Sequence, residues 1–162
     1  MMLCGRSLEM VFLVKRGKVL AYAIHESKEK ALEHLKKVAK FHGLKGKILE
    51  SKELEEKFGE MIKKSIEKGL KFRVPESYKF CGVYKELVKI PRGKVVSYGE
   101  IAERAKLHTR QVVLALKHNP FPILIPCHRV IRKNGEIGGY TPLGTKFKKM
   151  LLEMEKLGSK KD

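Results

Sequence analysis

The chain has 162 residues, 43% of them hydrophobic and 33% charged, enough for one ordinary domain or two small ones around an apolar core; this excludes a disordered or fibrous chain. Thirty-six Lys and Arg against 18 Asp and Glu give a formal net charge of +18, which argues for a polyanionic partner, nucleic acid first, and against an acidic one. Three cysteines, Cys4, Cys81 and Cys127, are widely spaced without a CxxC, so they fit a reducing compartment better than a disulfide framework and offer no zinc ligand set.

In chain order, Glu9 to Lys15 and Lys18 to His25 are rich in Val, Leu, Phe and Tyr and flank Arg16-Gly17, a pattern of two strands joined by a hairpin turn. The apolar run Met10 to Val14 is cut by Lys15, Arg16 and Lys18, too short for a secretory segment, and no stretch approaches a membrane span. A soluble, cytoplasmic protein is the expectation. Ser27 reads as the N-cap of a helix with Ala31, Leu35 and Val38 inward and Gly43 as its stop. A brief strand fits Lys47 to Glu50, and a second helix runs from about Ser51 to Gly69 with Leu54, Phe58, Met61, Ile62 and Ile66 on one face. Gly69 to Ser77 carries Gly, Pro and no periodicity, which places a boundary between an N-terminal unit, 1–72, and a C-terminal unit, 76–157.

In the second unit Phe80, Val83, Tyr84, Leu87 and Val88 form an amphipathic stripe that ends before Pro91 and Gly93, and Lys94 to Val96 is short and extended. Ser97-Tyr-Gly-Glu100 matches a capping box opening a short helix, and Thr109 caps a second one that ends at Asn119-Pro120. Two short helices joined tightly, the second basic at its start, form the pattern of a helix-turn-helix, which many α-hairpins share. From Arg104 to Lys133 there are seven Lys or Arg, three His and no acid. A thermophile-like surface, which the single Gln and absent Trp would suit, mixes both signs; this window has one, so it can track a phosphate backbone. A last helix has Phe147, Leu151 and Met154 as its buried stripe, followed by a frayed polar tail, 158–162.

Within the basic window stands NPFPILIPCHRVI, Asn119 to Ile131. A free Cys beside Pro and Ile is often only a small buried hydrophobe. Here, however, His128, Arg129 and Arg132 offer a cationic field that favours thiolate at Cys127, and three prolines stiffen the approach. A nucleophile needs a base, and the base an orienting group; Glu155, four residues after Leu151, lies at the edge of the last helix's stripe and is positioned to reach His128.

With IPRGKVVSYGEIA (Ile90 to Ala102), NPFPILIPCHRVI and GGY (Gly138 to Tyr140) in this order and spacing, the second unit resembles the O6-alkylguanine-DNA alkyltransferases, the methylated-DNA–protein-cysteine methyltransferases. That resemblance implies an α+β fold, with a small ribonuclease H-like N-terminal α/β domain and a mostly helical, winged helix-turn-helix-like C-terminal domain. It implies a monomer without cofactor that meets double-stranded DNA through the minor groove and flips the damaged base out; some members of the family bind zinc in the N-terminal domain, but that ligand set is absent from this sequence, so no metal is expected. Cys127 would accept the alkyl group from guanine O6 irreversibly, once per molecule, with O4-alkylthymine as a further substrate to consider. His128 and Glu155 would form the proton relay, with Glu153 as the alternative acid, and Tyr98 would donate toward guanine N3. Arg110 would fill the vacated stack, Asn119 would tie the second helix to the thiol loop, and Pro122 and Tyr140 would line the pocket. The carbonyls of Cys127 and Val130 would read the exocyclic amine, and the N–H of Thr141, where the family usually has Ser, would face O6. Two residues fewer lie before Arg110 than in some relatives, and one more lies between Tyr140 and Glu155. A non-catalytic, alkylated-base-binding protein of the alkyltransferase-like type is the alternative reading.

Overall fold

A computed structural model describes residues 1–141 and 143–161, the last five of these without side-chain detail. The chain opens on a ribbon that the sequence pattern does not reveal, β1 (Met2–Leu3) paired with β2 (Arg6–Ser7) around Cys4 and Gly5, both at positive φ. Strands β3 (Glu9–Lys15) and β4 (Lys18–His25) then form the expected hairpin; Arg16 and Gly17 take φ of 51° and 75°, the left-handed pair that a tight two-residue turn demands. Helix α1 (Lys28–His42) starts where the Ser27 hydroxyl accepts the Lys30 N–H and stops where Gly43 turns left-handed, φ 67°. Strand β5 (Lys47–Leu49) adds to the free edge of β3, giving the antiparallel order β4-β3-β5. Helix α2 (Lys52–Glu67) is capped by Ser51.

The central strands are apolar on both faces, and each face has a cover. Val11, Leu13, Ala21 and Ala23 pack under Ala31, Leu35 and Val38 of α1. Met10, Phe12, Tyr22 and Ile24 join Phe58, Ile62 and Ile66 of α2 in a larger cluster that continues into the second unit. The segment over 69–75, where the sequence marks a boundary, has neither helix nor strand, and Val74 and Tyr78 pack into that same cluster.

The second unit is built from α3 (Cys81–Leu87), β6 (Val96–Ser97), α4 (Tyr98–Ala105), α5 (Thr109–Lys117), a 3-10 turn at Cys127–Arg129, β7 (Val130–Ile131) and α6 (Thr145–Lys161). This is the mixed α+β arrangement with a helical C-terminal half. Among the described residues no helix is long and apolar enough to cross a membrane.

Four local expectations change. The Ser97 hydroxyl accepts the Glu100 N–H, but the Glu100 carboxylate pairs with Arg104 at 3.7 Å, so half of the capping box forms. Helix α5 is capped by His108 in place of Thr109: its Nδ1 accepts the Arg110 N–H while Gln111 accepts from the His108 N–H, a reciprocal box that an imidazole can close as well as a hydroxyl. Met154 is 37% exposed, because the inward row of α6 is Phe147, Lys148, Leu151 and Glu155. The α6 backbone also continues helically through Lys161, past the start of the expected tail; Asp162 lies outside the described residues.

The halves are joined at the thiol loop. The Tyr22 N–H of β4 donates to the Pro120 carbonyl at 2.9 Å, and the buried Tyr22 hydroxyl donates to the Pro122 carbonyl at 2.6 Å. Tyr22→Phe leaves a buried carbonyl without its donor, so it should cost about 1–3 kcal/mol in thermal or urea unfolding; an unchanged midpoint would show that this bolt carries no stability.

Candidate active site

Every residue from Asn119 to Val130 is buried, a demanding state for a loop because its backbone polar groups must find partners inside the protein. The prolines at 120, 122 and 126 reduce the demand by removing three N–H donors. Asn119 meets much of the rest: its Oδ1 accepts the Phe121 N–H at 2.9 Å, and its Nδ2 donates to the Ile125 carbonyl at 2.8 Å and to Cys127 Sγ at 3.2 Å. Ile123 sits at φ 76°, a strained region for a β-branched residue, and is held there fully buried.

The parallel pair β6–β7, Val96 opposite Val130 and Ser97 opposite Ile131, carries the start of α4 to the side of the thiol. Tyr98 thereby becomes one wall of a cavity of about 610 Å³ that is also lined by Cys127, Tyr140, Thr141 and Val113. Gly138 explains the GGY pattern: at φ 76°, a Cβ there would stand 2.9 Å from the Tyr98 hydroxyl, so the turn closes against the tyrosine only as glycine. Lys117, Arg132 and Lys133 also line the cavity, and among the described residues no carboxylate does.

Behind the thiol lies a buried charged network. His128 Nε2 meets Glu155 Oε1 at 2.9 Å, and Arg129 reaches both carboxylate oxygens through Nε, at 3.0 and 3.2 Å, and Oε2 again through Nη2. Arg129 Nη1 also donates to the Ile90 carbonyl at 2.7 Å. Burial pushes the Glu155 carboxyl up, but hydrogen bonds and charge from His128 and Arg129 outweigh this and hold it down at about 2. Since Glu155 is a carboxylate, His128 Nε2 carries the proton in this contact and Nδ1 presents its lone pair; among the described residues Nδ1 has no hydrogen-bond partner. Burial also lowers the affinity of His128 for a second proton, against the pull of Glu155.

Burial pushes the Cys127 thiol up, while the Asn119 hydrogen bond and then the Lys148 ammonium pull it down. None of His128, Arg129 and Arg132, the source of the expected field, is among the groups that lower the thiol; Arg129 is paired with Glu155, and Arg132 with Glu136 at 3.4 Å. The balance favours the protonated thiol at Cys127.

Of the residues singled out in the sequence, Cys127, Tyr98, Tyr140 and Thr141 line the cavity, and His128, Glu155 and Asn119 gather behind the thiol. Glu153 is exposed, so Glu155 is the acid at His128. Arg110 is exposed in the first turn of α5, beside the lining residue Thr109. Pro122 and Val130 are buried but do not line the cavity: the Pro122 carbonyl is held by Tyr22 and Val130 pairs with Val96. Sequence reading missed Arg129 as the partner of Glu155, and Lys148 altogether. The signal for Lys148 was its spacing, three before Leu151 and seven before Glu155 on one helical row. Among the described residues no three His, Cys, Asp or Glu side chains gather as a metal site.

The family model described as "6-O-methylguanine DNA methyltransferase, DNA binding domain" matches residues 80–157. A methylated-DNA–protein-cysteine methyltransferase of Methanothermobacter thermautotrophicus is 56% identical over 66 residues, 41% of this chain and 37% of that protein. Alignments to the curated relatives named here and to those of Saccharolobus islandicus span between 37% and 52% of the relative's length. Among solved structures, the O6-methylguanine-DNA methyltransferase of Pyrococcus kodakaraensis superimposes with a TM-score of 0.74 at 28% identity, covering 93% of this chain and 92% of that one. A Mycobacterium tuberculosis OGT in complex with DNA gives 0.52 at 35% identity, covering 63% and 68%.

Glu155→Gln should destabilise the fold by about 3–5 kcal/mol, since it leaves Arg129 buried without its counter-charge. In the unaltered chain the same carboxyl, depressed to about 2, contributes stability in full above the ordinary carboxylate range. That contribution is lost as pH falls toward 2, so urea titrations across this range should show the wild type losing its advantage over the Gln variant in acid.

Proposed function

The chain belongs to the 6-O-methylguanine DNA methyltransferase family, and from that premise we propose that it repairs O6-alkylguanine in double-stranded DNA by direct, irreversible transfer of the alkyl group to Cys127. The observation that carries this reading is the thiol itself, set in the wall of a cavity between Tyr98 and Tyr140 and backed by a carboxylate-oriented histidine.

In the proposed reaction the Cys127 Sγ–carbon bond forms as the carbon–O6 bond breaks. The thiol proton passes to His128 Nδ1 through a water, and the guanine, leaving with an extra electron pair, is met at N3 by the Tyr98 hydroxyl. Burial pushes the Tyr98 hydroxyl upward, so it keeps its proton and remains a donor. The thioether has no leaving group for a return path, so each molecule acts once. The cavity volume suits a single base, which requires the base to leave the stack. Arg110, exposed beside the cavity mouth, takes its place in the duplex, and the acid-free basic face of α5 and its flanks meets the minor-groove phosphates.

The Tyr140 hydroxyl, buried without a partner among the described residues, is available to a bound base. The Thr141 N–H and the carbonyls of Cys127 and Val130 are assigned to O6 and the exocyclic amine, and Pro122 supports the pocket from below its lining. Residues 1–72 act as the supporting unit and 76–157 as the DNA-binding and alkyl-acceptor unit, in a cytoplasmic monomer. Its three free cysteines suit a reducing compartment.

Incubation with duplex DNA carrying O6-methylguanine should add one methyl group, in place of the thiol proton, to each wild-type chain by intact mass and none to Cys127→Ser. Tight binding without any mass change would favour the non-catalytic, base-binding reading. Tyr98→Phe should bind the same DNA but transfer about 10²-fold more slowly in single-turnover kinetics; an unaltered rate would remove Tyr98 from the mechanism.

A further inference from the structure

Helix α6 sends a lysine into the protein behind the thiol cavity. Lys148 is 1% exposed, its Nζ donates to the Gly139 carbonyl at 3.2 Å, and the same Nζ lies 5.7 Å from the centre of the Tyr98 ring. A buried ammonium is costly unless a counter-charge or strong acceptors meet it. Among the described residues no carboxylate pairs with Lys148; the nearest acid on its own row, Glu155, is committed to His128 and Arg129. What the ammonium touches is the cavity wall: Tyr98 from α4 and the turn that carries Gly138 and Gly139 against it.

We propose that Lys148 is a positioning residue for alkyl transfer, its ammonium clamping Tyr98 to the Gly138–Gly139 turn and placing a positive charge beside the site where the thiolate and the departing guanine carry negative charge. The inference rests on Cys127 as the alkyl acceptor. A cation within about 6 Å of an aromatic face is attracted to it and also eases charge build-up on the ring oxygen as the hydroxyl donates. The same charge favours the Cys127 thiolate, the direction in which it already shifts that thiol.

The charge is present only below a limit. Burial lowers Lys148 to about 8, Arg132 adds to the lowering and Cys127 opposes it. The other groups around the ammonium do not titrate there in the same sense. From the Cys127–Arg129 turn, His128 is held below its ordinary value by burial, and Cys127 above. From α4 and the turn after Gly139, Tyr98 and Tyr140 are both pushed up by burial and keep their protons. The reaction therefore gains thiolate as pH rises but loses its buried cation above about 8.

The test is the pH profile of single-turnover methyl transfer for wild type, Lys148→Arg and Lys148→Met. Alongside it runs the pH profile of iodoacetamide reaction at Cys127 without DNA, read by peptide mass. The wild-type transfer rate should fall above about pH 8. Lys148→Arg, which keeps its charge throughout, should retain transfer and lose that fall. Lys148→Met should be slower by about 10-fold at neutral pH, lack the fall, and react with iodoacetamide on a profile shifted to higher pH. A falling limb that persists unchanged in both variants, or a Met variant with wild-type rate and thiol profile, overturns the inference. If wild type takes no methyl group from DNA, the alkyl-acceptor reading fails separately, and the iodoacetamide profile still decides whether Lys148 acts on Cys127. Should the Met variant not fold, the Arg variant decides: a fall that remains near 8 in that protein overturns the proposal.

Discussion

A carboxylate held at zero exposure governs the architecture of this protein. Glu155 keeps its negative charge inside the core because Arg129 and His128 both meet it, and each of those residues is fixed by doing so. They are consecutive, and Cys127 precedes them, so anchoring two residues of a three-residue turn to one helix also fixes the thiol. Removing water from such a pair strengthens the attraction but exacts a large desolvation cost, and the network survives because nearly every hydrogen-bonding position is used. Among the described residues the exception in this network is His128 Nδ1, the atom that the proposed chemistry needs.

The N-terminal unit takes part in the same construction. Its central hairpin supplies Tyr22, which holds the Pro120 and Pro122 carbonyls while Asn119 holds the Ile125 carbonyl, and the shared apolar cluster packs around the loop. The strained Ile123 is tolerable only in such a frame. A loop fixed by a sheet, a helix and a buried ion pair is preorganised, which is what the single-use nucleophile proposed at Cys127 requires if its one encounter is to be productive.

How much of this was legible in the sequence follows from how local each signal is. Ser27 and Ser97 cap the helices expected of them, the second helix starts at the expected place with Ser51 as its cap, and Arg16-Gly17 makes the expected turn, because cap and turn chemistry is decided within a few residues. Glu155 was legible through its spacing from Phe147 and Leu151, and the same row would have revealed Lys148 had a buried lysine been thought affordable. The β6–β7 pair depends on a contact between distant segments, and the ribbon at Cys4 and the 3-10 turn at Cys127 are local but only two or three residues long per element, so none of them left a periodic trace. Met154 shows the limit of spacing arguments: an apolar residue one step from Glu155 looked like core, but the helix turns it outward. Similarly, the cation that acts on Cys127 is Lys148 from the last helix, whereas the chain neighbours His128, Arg129 and Arg132, expected to supply the field, do not lower the thiol.

In the proposed chemistry the buried carboxylate prepares His128 as a neutral base with its proton on Nε2. Nitrogen-15 NMR of the imidazole in the free protein reads this directly, since the two neutral tautomers and the imidazolium give separate signatures. At neutral pH His128 should show a protonated Nε2 and a bare Nδ1. A proton on Nδ1, whether in the other tautomer or in the imidazolium, would contradict it.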